Sequence, residues 1–127
     1  LVRHVGLSNV SVDQLERARD IVEIATVQNQ YNVANRDAQA VLDACENYDI
    51  GFIPWFPLAA GDLNGVDGIG DIADRHDATP HQIALAWLLE SSEVTLPIPG
   101  TASIEHLEQN VAAADIELTD EELATLR

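Results

Sequence analysis

The sequence predicts an α/β protein built on a parallel β-sheet. Short apolar segments with strand character alternate four times with helical segments, and the connections are short. Such alternation places consecutive strands side by side with right-handed crossovers. Four units of this kind form either part of a doubly wound sheet or half of a (βα)8 barrel. No glycine-rich fingerprint follows the first strand, and the glycine-rich segment 61–70 is expected to be a loop, which weakens the doubly wound alternative.

The strands are predicted from runs of apolar residues. The first covers residues 1–6, and the second covers 24–28, where it turns abruptly into the amide-rich sequence VQNQYN. The third, residues 50–55, is apolar throughout and is therefore expected to be buried on both faces. The fourth strand is predicted over VTLPIP, residues 94–99.

Helices are predicted where a capping residue precedes apolar residues at helical spacing. Ser11 and Gln14 form a capping box that opens a helix over about 12–22, and Asn35 is expected to cap a helix over about 36–48. Further helices are expected over 70–76, from Thr79 and Pro80 to 90, from Ser103 to about 113, and after Thr119.

The chain is strongly acidic. Its 127 residues include 22 Asp and Glu against six basic residues, all of them arginine, which gives a net charge of −16. Neither nucleic acid nor an anionic membrane is expected as a partner of such a surface, and no apolar run is long enough to span a bilayer. Because the acids are spread over every predicted helix, the composition favours a halophilic protein whose self-repulsion is screened by salt. An ordinary acidic protein is the alternative.

Several single residues set further expectations. The lone Cys45 cannot form an internal disulfide, and with no signal peptide in the sequence this favours a cytoplasmic location. Cys45 and Trp87 are expected to be buried. His76 and His81, separated by Pro80, lack the spacing of metal ligands, so no metal site is expected. The absence of methionine indicates a fragment or a processed chain.

Polar and aromatic residues follow the predicted strands, at the edge where parallel α/β folds build their sites. Carboxamides can pair with an amide, an indole can stack on a flat ring, and a helix N-terminus accepts phosphate. A nicotinamide nucleotide has an amide, a flat ring and phosphates, so the sequence predicts a binding site for such a nucleotide. The residues are Ser8 and Asn9 after the first strand, Gln28 and Asn29 after the second, Trp55 after the third, and the turn 100–103 after the fourth.

Four segments resemble the C-terminal half of the aldo-keto reductase family: HVGLSN, VQNQYN, PWFPLAAG and IPGTASIEHLEQNVAA. Members of that family are (βα)8 TIM barrels that reduce aldehydes and ketones with NAD(P)H. The resemblance covers essentially all 127 residues in order and spacing. It implies that residues 1–127 are one domain, the cofactor-binding C-terminal half of such a barrel, with about four βα units and a short C-terminal helix.

The resemblance implies that NADP(H) or NAD(H) is the cofactor. Ser8, Asn9 and Gln28 would hold the nicotinamide carboxamide. Trp55 would stack on the ring, at a position where the family usually has tyrosine. The other implied contacts are Phe56 and Leu58 along the pyrophosphate, Gly100, Thr101, Ser103 and His106 around the adenosine 2′-phosphate, and Gln109 and Asn110 at the adenine.

The sequence departs from the family at two places. Gly100 and His106 stand where many members have lysine and arginine, so the choice between NADPH and NADH is open. The family's catalytic Asp, Tyr, Lys and His belong to the first four βα units, and Tyr31 and Tyr48 do not match that motif. No catalytic residue is therefore predicted in this chain.

Two hypotheses follow. In the first, the chain is the cofactor-binding half of an NAD(P)H-dependent carbonyl reductase that acts on a small carbonyl substrate. The chain alone is then expected to be inactive and to associate with the missing N-terminal half or with itself. In the second, it is a non-enzymatic nucleotide-binding or assembly module with a half-barrel fold.

Overall fold

A computed structural model describes residues 1–59, 63 and 65–126. Part of the glycine-rich segment predicted as a loop, residues 61, 62 and 64, lies outside the described residues. The strands are β1 (Val5–Ser8), β2 (Ile24–Gln30) and β3 (Gly51–Trp55). The helices are α1 (Val12–Arg19), α2 (Gln39–Asn47), α3 (Ile69–Arg75), α4 (Pro80–Ser91), α5 (Ile104–Ala112) and α6 (Asp120–Thr125), with a short 3-10 helix over Ala113–Asp115. No described helix has the length and apolar character needed to cross a membrane.

The three strands form one parallel sheet in the order β1-β2-β3. Leu7 lies opposite Val27, which lies opposite Phe52. Partners in neighbouring strands point to the same face, and on this face Val27 and Phe52 are fully buried within the hydrophobic core. Ser8 lies opposite Gln28, and Gln28 lies opposite Ile53, on the other face of the sheet. This face is only partly covered, and we call it the open face.

The third strand is not buried on both faces, so that prediction was wrong. Burial alternates along β3: Phe52 and Pro54 are buried, whereas Ile53 and Trp55 are partly exposed. The apolar residues of β3 therefore alternate between a buried face and a partly exposed face. One face packs on the helices, and the described residues provide no second layer over the open face.

The predicted fourth strand is reduced to a single bridge between Thr95 and Phe52. The Phe52 N–H donates to the Val94 carbonyl and the Leu96 N–H donates to the Phe52 carbonyl, each over 2.8 Å. Pro54, the next residue of β3 whose backbone faces this segment, has no N–H to donate to the Leu96 carbonyl, so the ladder does not continue. The segment nevertheless runs parallel beside β3, where a fourth strand was expected.

Four further boundaries differ from the predictions. β1 begins at Val5, since residues 1–4 are exposed, and β2 continues beyond 28 to Gln30. Asn35 does not cap α2, which begins at Gln39 without a side-chain cap. The Asn35 side-chain oxygen instead accepts from the Asp37 N–H over 3.1 Å, which is a turn and not a helix start. α1 ends at Arg19, before the predicted residue 22.

An aromatic cluster fixes α4 beneath the sheet. The Tyr31 ring stacks on Trp87, with centroids 5.6 Å apart, and meets Phe52 edge-on at 5.8 Å.

Trp87 and Cys45 are buried as predicted, and burial raises the pKa of the Cys45 thiol to about 11. Thr79 caps α4 by accepting from the Gln82 N–H. The start of α4 is thereby held at the sheet edge where the candidate site lies.

Candidate functional site

Four residues predicted from separate strand ends meet at one rim of the sheet. The Trp55 indole N–H donates to the Asn9 side-chain oxygen over 2.9 Å, and the Asn9 amide donates to the Ser8 hydroxyl over 3.0 Å. The Asn9 backbone N–H donates to the Gln28 carbonyl over 2.9 Å. Asn9 has φ of 54°, a left-handed conformation that asparagine tolerates better than most residues. Its backbone and side chain together join β1, β2 and β3.

The carboxamides of VQNQYN divide into structural and available groups. Asn29 is buried: its amide donates to the Val10 carbonyl over 2.8 Å, and its oxygen accepts from the Val10 N–H over 3.1 Å. Asn32 is buried and donates to the Phe56 carbonyl over 2.9 Å. Gln28 lies on the open face, and its side chain makes no hydrogen bond to a described residue. Asn29 and Asn32 therefore hold loops, and Gln28 is available to a ligand.

A cleft of about 540 Å³ lies between the segment that follows β3 and the start of α5. It brings together residues that the sequence placed on separate loops: Phe56, Leu58, Gly100, Thr101, His106, Gln109 and Asn110. Its other lining residues, Pro57, His81, Ile98 and Pro99, were not among the predicted cofactor contacts. Of these, His81 is the one that carries an ionisable side chain.

Local backbone conformation shapes the cleft at both ends. Phe56 has φ of 62° and Ala59 has φ of 48°, and such strained residues are concentrated at ligand-binding segments. Ser103 is not among the lining residues. Its hydroxyl accepts from the His106 N–H over 3.3 Å and caps α5, while its own N–H donates to the Thr101 hydroxyl over 3.1 Å. Ser103 thus orders the turn that contributes Gly100 and Thr101.

Sequence reasoning missed His81 because its place depends on how two helices pack. The Gln82 amide donates to the Gln109 carbonyl over 3.0 Å, and this bond brings the first turn of α4 against α5. The sequence signal for the position of His81 was Thr79–Pro80, which predicts a helix start. No local signal showed that this start faces α5.

A second depression of about 440 Å³ adjoins the rim at Trp55 and Asn9. Gln30 from the end of β2 and Asp37 from the following loop also line it. Neither residue was among the predicted cofactor contacts. The Trp55 indole therefore lies beside this recess in addition to the rim that it shares with Asn9.

Comparisons with known proteins identify the family. The model of the Aldo/keto reductase family matches residues 1–127. The chain belongs to the aldo/keto reductase family. An uncharacterized oxidoreductase of Schizosaccharomyces pombe is 47% identical over 127 residues, which cover 99% of this chain and 42% of that protein. Pyridoxine 4-dehydrogenase of Escherichia coli is 46% identical over 126 residues, covering 99% and 44%.

Solved aldo/keto reductases have the same fold over almost the whole chain. A thermostable aldo-keto reductase in complex with the inhibitor epalrestat aligns with a TM-score of 0.90 at 32% identity, over 99% of this chain and 48% of that one. An aldo/keto reductase from Klebsiella pneumoniae, in complex with NADP and acetate, gives a TM-score of 0.88 at 34% identity, over 97% and 46%. The chain spans less than half the length of these relatives. Its fold is therefore part of an aldo/keto reductase TIM barrel, as predicted.

Proposed function

We propose that this chain supplies the nicotinamide-nucleotide site of an oxidoreductase that reduces aldehydes or ketones with NADPH or NADH. The observation that carries the proposal is the convergence of Ser8, Asn9, Gln28 and Trp55 at one rim. The 540 Å³ cleft begins at Phe56, the residue after Trp55. The Klebsiella pneumoniae relative bound to NADP and the Escherichia coli pyridoxine 4-dehydrogenase support the assignment.

The residues present fit such a cofactor. The Gln28 carboxamide makes no hydrogen bond to a described residue, and the Gln28 backbone carbonyl accepts from the Asn9 N–H. The Trp55 N–H is already bonded to Asn9, so the partly exposed ring keeps a face for stacking. The volume of the cleft falls within the roughly 300–1,000 Å³ that small-molecule sites occupy.

The roles of the individual residues follow from their positions. Ser8, Asn9 and Gln28 would orient the nicotinamide by hydrogen bonds to its carboxamide, and Trp55 would lie against the ring. The cofactor, when bound, supplies the hydride for carbonyl reduction. The remaining contacts would be Phe56 and Leu58 at the pyrophosphate, Gly100, Thr101, Ser103 and His106 at the ribose phosphate, and Gln109 and Asn110 at the adenine. Ser103 would act through the turn that it orders.

We propose that the 127-residue chain binds nucleotide but does not reduce carbonyls alone. A proton donor for the carbonyl oxygen typically contributes roughly 10²–10⁴-fold to the rate. Tyr31 is buried, donates its hydroxyl to Gln39, and has its pKa raised mainly by that burial, so it cannot reach a substrate at the rim. Tyr48 lies at the opposite end, after α2, beneath the Arg19 guanidinium.

Calorimetric titration of the chain with NADP⁺ and NAD⁺ tests the proposal. We expect saturable binding of at least one dinucleotide, weakened roughly 2- to 10-fold by Gln28→Leu, the range of one hydrogen bond. Thr26→Val is the matched control, because Thr26 lies on the same open face one pair away from the rim. Absence of binding, or equal affinity of Gln28→Leu and the parent, would refute the site. Aldehyde reduction by the chain above a protein-free control would refute its inactivity.

A further inference from the structure

The recess of about 440 Å³ beside Trp55 is separate from the proposed carboxamide site. Trp55 and Asn9 line it, whereas Ser8 and Gln28 do not. Gln30 lies opposite Trp55 in the last pair of the β2–β3 ladder, so both side chains stand on the open face. The Gln30 side chain makes no hydrogen bond to a described residue. The recess therefore has an aromatic ring and an available carboxamide on the same wall.

The lining of this recess combines apolar walls with one carboxylate. Asp37 is the single ionisable residue among the described lining residues, and it is exposed. A quaternary ammonium group has apolar methyl groups and a positive charge, so an apolar wall, an indole face and a carboxylate suit it together. The apolar lining residues are Val10, Val12, Ala38, Ala40 and Val41.

The arginine beside Asp37 is directed elsewhere and does not neutralise it. The Arg36 guanidinium donates to the Val33 carbonyl over 3.3 Å and to the Leu126 carbonyl. Its central carbon lies 4.5 Å from the centroid of the Trp87 ring, which packs beneath the core face of the sheet. Arg36 does not line the recess. Within the described part of the chain Asp37 makes no ion pair, so its charge is left for a ligand.

A buried asparagine orders the turn that carries Asp37. Asn32 is 1% exposed, and its side-chain oxygen accepts from the Asn35 N–H over 2.8 Å. Its amide group donates to the Phe56 carbonyl over 2.9 Å, directly after β3. The Asn35 side-chain oxygen in turn accepts from the Asp37 N–H over 3.1 Å. These bonds hold the Asp37 backbone near the end of β3, where Trp55 lies.

The local charge favours a cation in the recess. Two helices begin beside it, and the positive end of a helix by itself favours an anion. Each start has a carboxylate that offsets this effect: Asp13 lies in the first turn of α1, and Asp37 stands two residues before α2. A full negative charge outweighs the roughly half a charge of a helix end. The net charge of −16 on the chain acts in the same direction.

We propose that this recess binds a small organic cation with a quaternary ammonium group, which lies against the Trp55 ring and next to the Asp37 carboxylate. The Gln30 carboxamide stands where it would bond a hydroxyl group of the same ligand. An indole face raises the affinity for a cation by about 2- to 5-fold at an exposed site, and an exposed ion pair adds up to about fivefold. The site goes beyond the proposed function, because it needs no nucleotide.

Choline tests the proposal against the neutral alcohol in which a tert-butyl group replaces the trimethylammonium group. The two molecules share their shape and their hydroxyl group and differ in charge. The chain has two tryptophans, so its NMR spectrum should show two indole N–H signals, and Trp55→Phe identifies that of Trp55. At constant ionic strength we expect choline to shift this signal saturably, with a dissociation constant at least about fivefold lower than that of the alcohol. The signal of Trp87, which is 6% exposed, should move little.

Variants assign the effect to single residues. Asp37→Asn should weaken choline binding by roughly 2- to 5-fold and leave binding of the neutral alcohol unchanged. Asp20→Asn is the matched control, because it removes the same charge from an exposed residue after α1, at the opposite end of the sheet. Gln30→Leu should weaken both ligands by a similar factor, since both carry the hydroxyl group.

The outcomes separate this site from the proposed nucleotide site. Equal affinities for the two ligands, or no saturable shift of the Trp55 signal, overturn the cation site. An effect of Asp20→Asn as large as that of Asp37→Asn would assign the attraction to the net charge of the chain and also overturn it. Choline binding by a chain that binds no dinucleotide would support the cation site and refute the proposed function alone.

Discussion

The Trp55 indole nitrogen and the Asn9 side-chain oxygen lie 2.9 Å apart, in a hydrogen bond that passes over the end of the central strand. Trp55 ends β3 and Asn9 follows β1, so the bond joins the two outer strands of the sheet. This hydrogen bond fixes the rotation of the Trp55 side chain. The ring orientation needed for stacking is therefore set by a residue that also belongs to the proposed carboxamide site.

Removing the Trp55 donor should weaken nucleotide binding while leaving the fold intact. Trp55→Phe keeps a flat ring but loses the bond to Asn9, so we expect the dissociation constant to rise roughly 2- to 10-fold. Calorimetry gives the constant, and circular dichroism serves as the control for folding because Trp55 is only partly buried at the rim. Unchanged affinity in this variant would show that the orientation of the ring does not matter.

A methyl group at Gly6 should destabilise the pairing of β1 with β2. A Cβ at this position would lie 2.4 Å from the Thr26 hydroxyl oxygen and 3.3 Å from the Thr26 carbonyl. We expect Gly6→Ala to lower the free energy of unfolding by about 1–3 kcal/mol, the usual cost of overpacking. Urea unfolding measures the change. Adding Thr26→Ala should recover part of the loss, and a double variant no better than the single one would contradict this cause.

The contact between Glu122 and His76 should make stability fall in acid. The Glu122 carboxylate is buried, lies 2.9 Å from His76 Nε2 and accepts from the Thr119 N–H over 3.0 Å. The His76 hydrogen bond, followed by the Thr119 bond, lowers the Glu122 pKa from its ordinary value of 4.5. The unfolded chain therefore takes up this proton at higher pH than the folded chain does. The stabilisation is complete above about pH 4.5 and is lost as the pH falls through the folded value.

Glu122→Gln tests that prediction by removing the charge with little change in shape. We expect the melting temperature near pH 7 to fall by on the order of 5 °C, and the melting temperature to depend less on pH between 3 and 5. Glu121→Gln is a suitable control, because Glu121 is the exposed neighbour on α6. Parallel pH profiles for the parent and Glu122→Gln would count against the role of this carboxylate.

Salt should stabilise the folded chain. With a net charge of −16 on 127 residues, self-repulsion opposes the compact state, and counterions reduce its range. We expect the melting temperature followed by circular dichroism to rise steadily from millimolar to molar KCl. A melting temperature unchanged over that series would remove the basis for the halophilic interpretation of the composition.

The open face should promote self-association as the ionic strength rises. Leu96 and Ile98 expose 54% and 48% of their surface beside β3. The unpaired backbone groups of an uncovered sheet edge can also pair with the edge of a second chain. We expect sedimentation velocity to show a larger species in molar KCl that Leu96→Thr reduces. Ile21→Thr is the control, since Ile21 is 85% exposed just after α1, away from the sheet. A monomer at all salt concentrations would contradict the prediction.

Local chemistry explains why much of the fold was predictable. The capping box of Ser11 with Gln14 and the cap at Thr79 form as predicted, because each capping bond joins residues only three positions apart. Asn35 had the same local signal, but its side chain bonds the Asp37 N–H and makes a turn. The choice between a cap and a turn depends on the backbone around it, which residue types alone do not determine.

Positions set by tertiary packing were harder to predict. Ser8, Gln28 and Trp55 could be placed together because parallel strands end at the same edge, which is a rule of topology. His81 reaches the cleft only because Gln82 bonds the Gln109 carbonyl, and that contact joins residues 27 positions apart. The fourth strand stops after one bridge because Pro54 of β3 has no N–H for the Leu96 carbonyl.

The pair of hydrogen bonds between Asn29 and the Val10 backbone has a consequence for the thermodynamics of binding. Asn29 offers Val10 one donor and one acceptor, as a neighbouring strand would, so the turn after β1 is held in place without any ligand. Ordering a loop when a ligand binds costs conformational entropy that subtracts from affinity. Since this turn is already ordered, the entropy of nucleotide binding should contain little contribution from the Ser8–Asn9 segment.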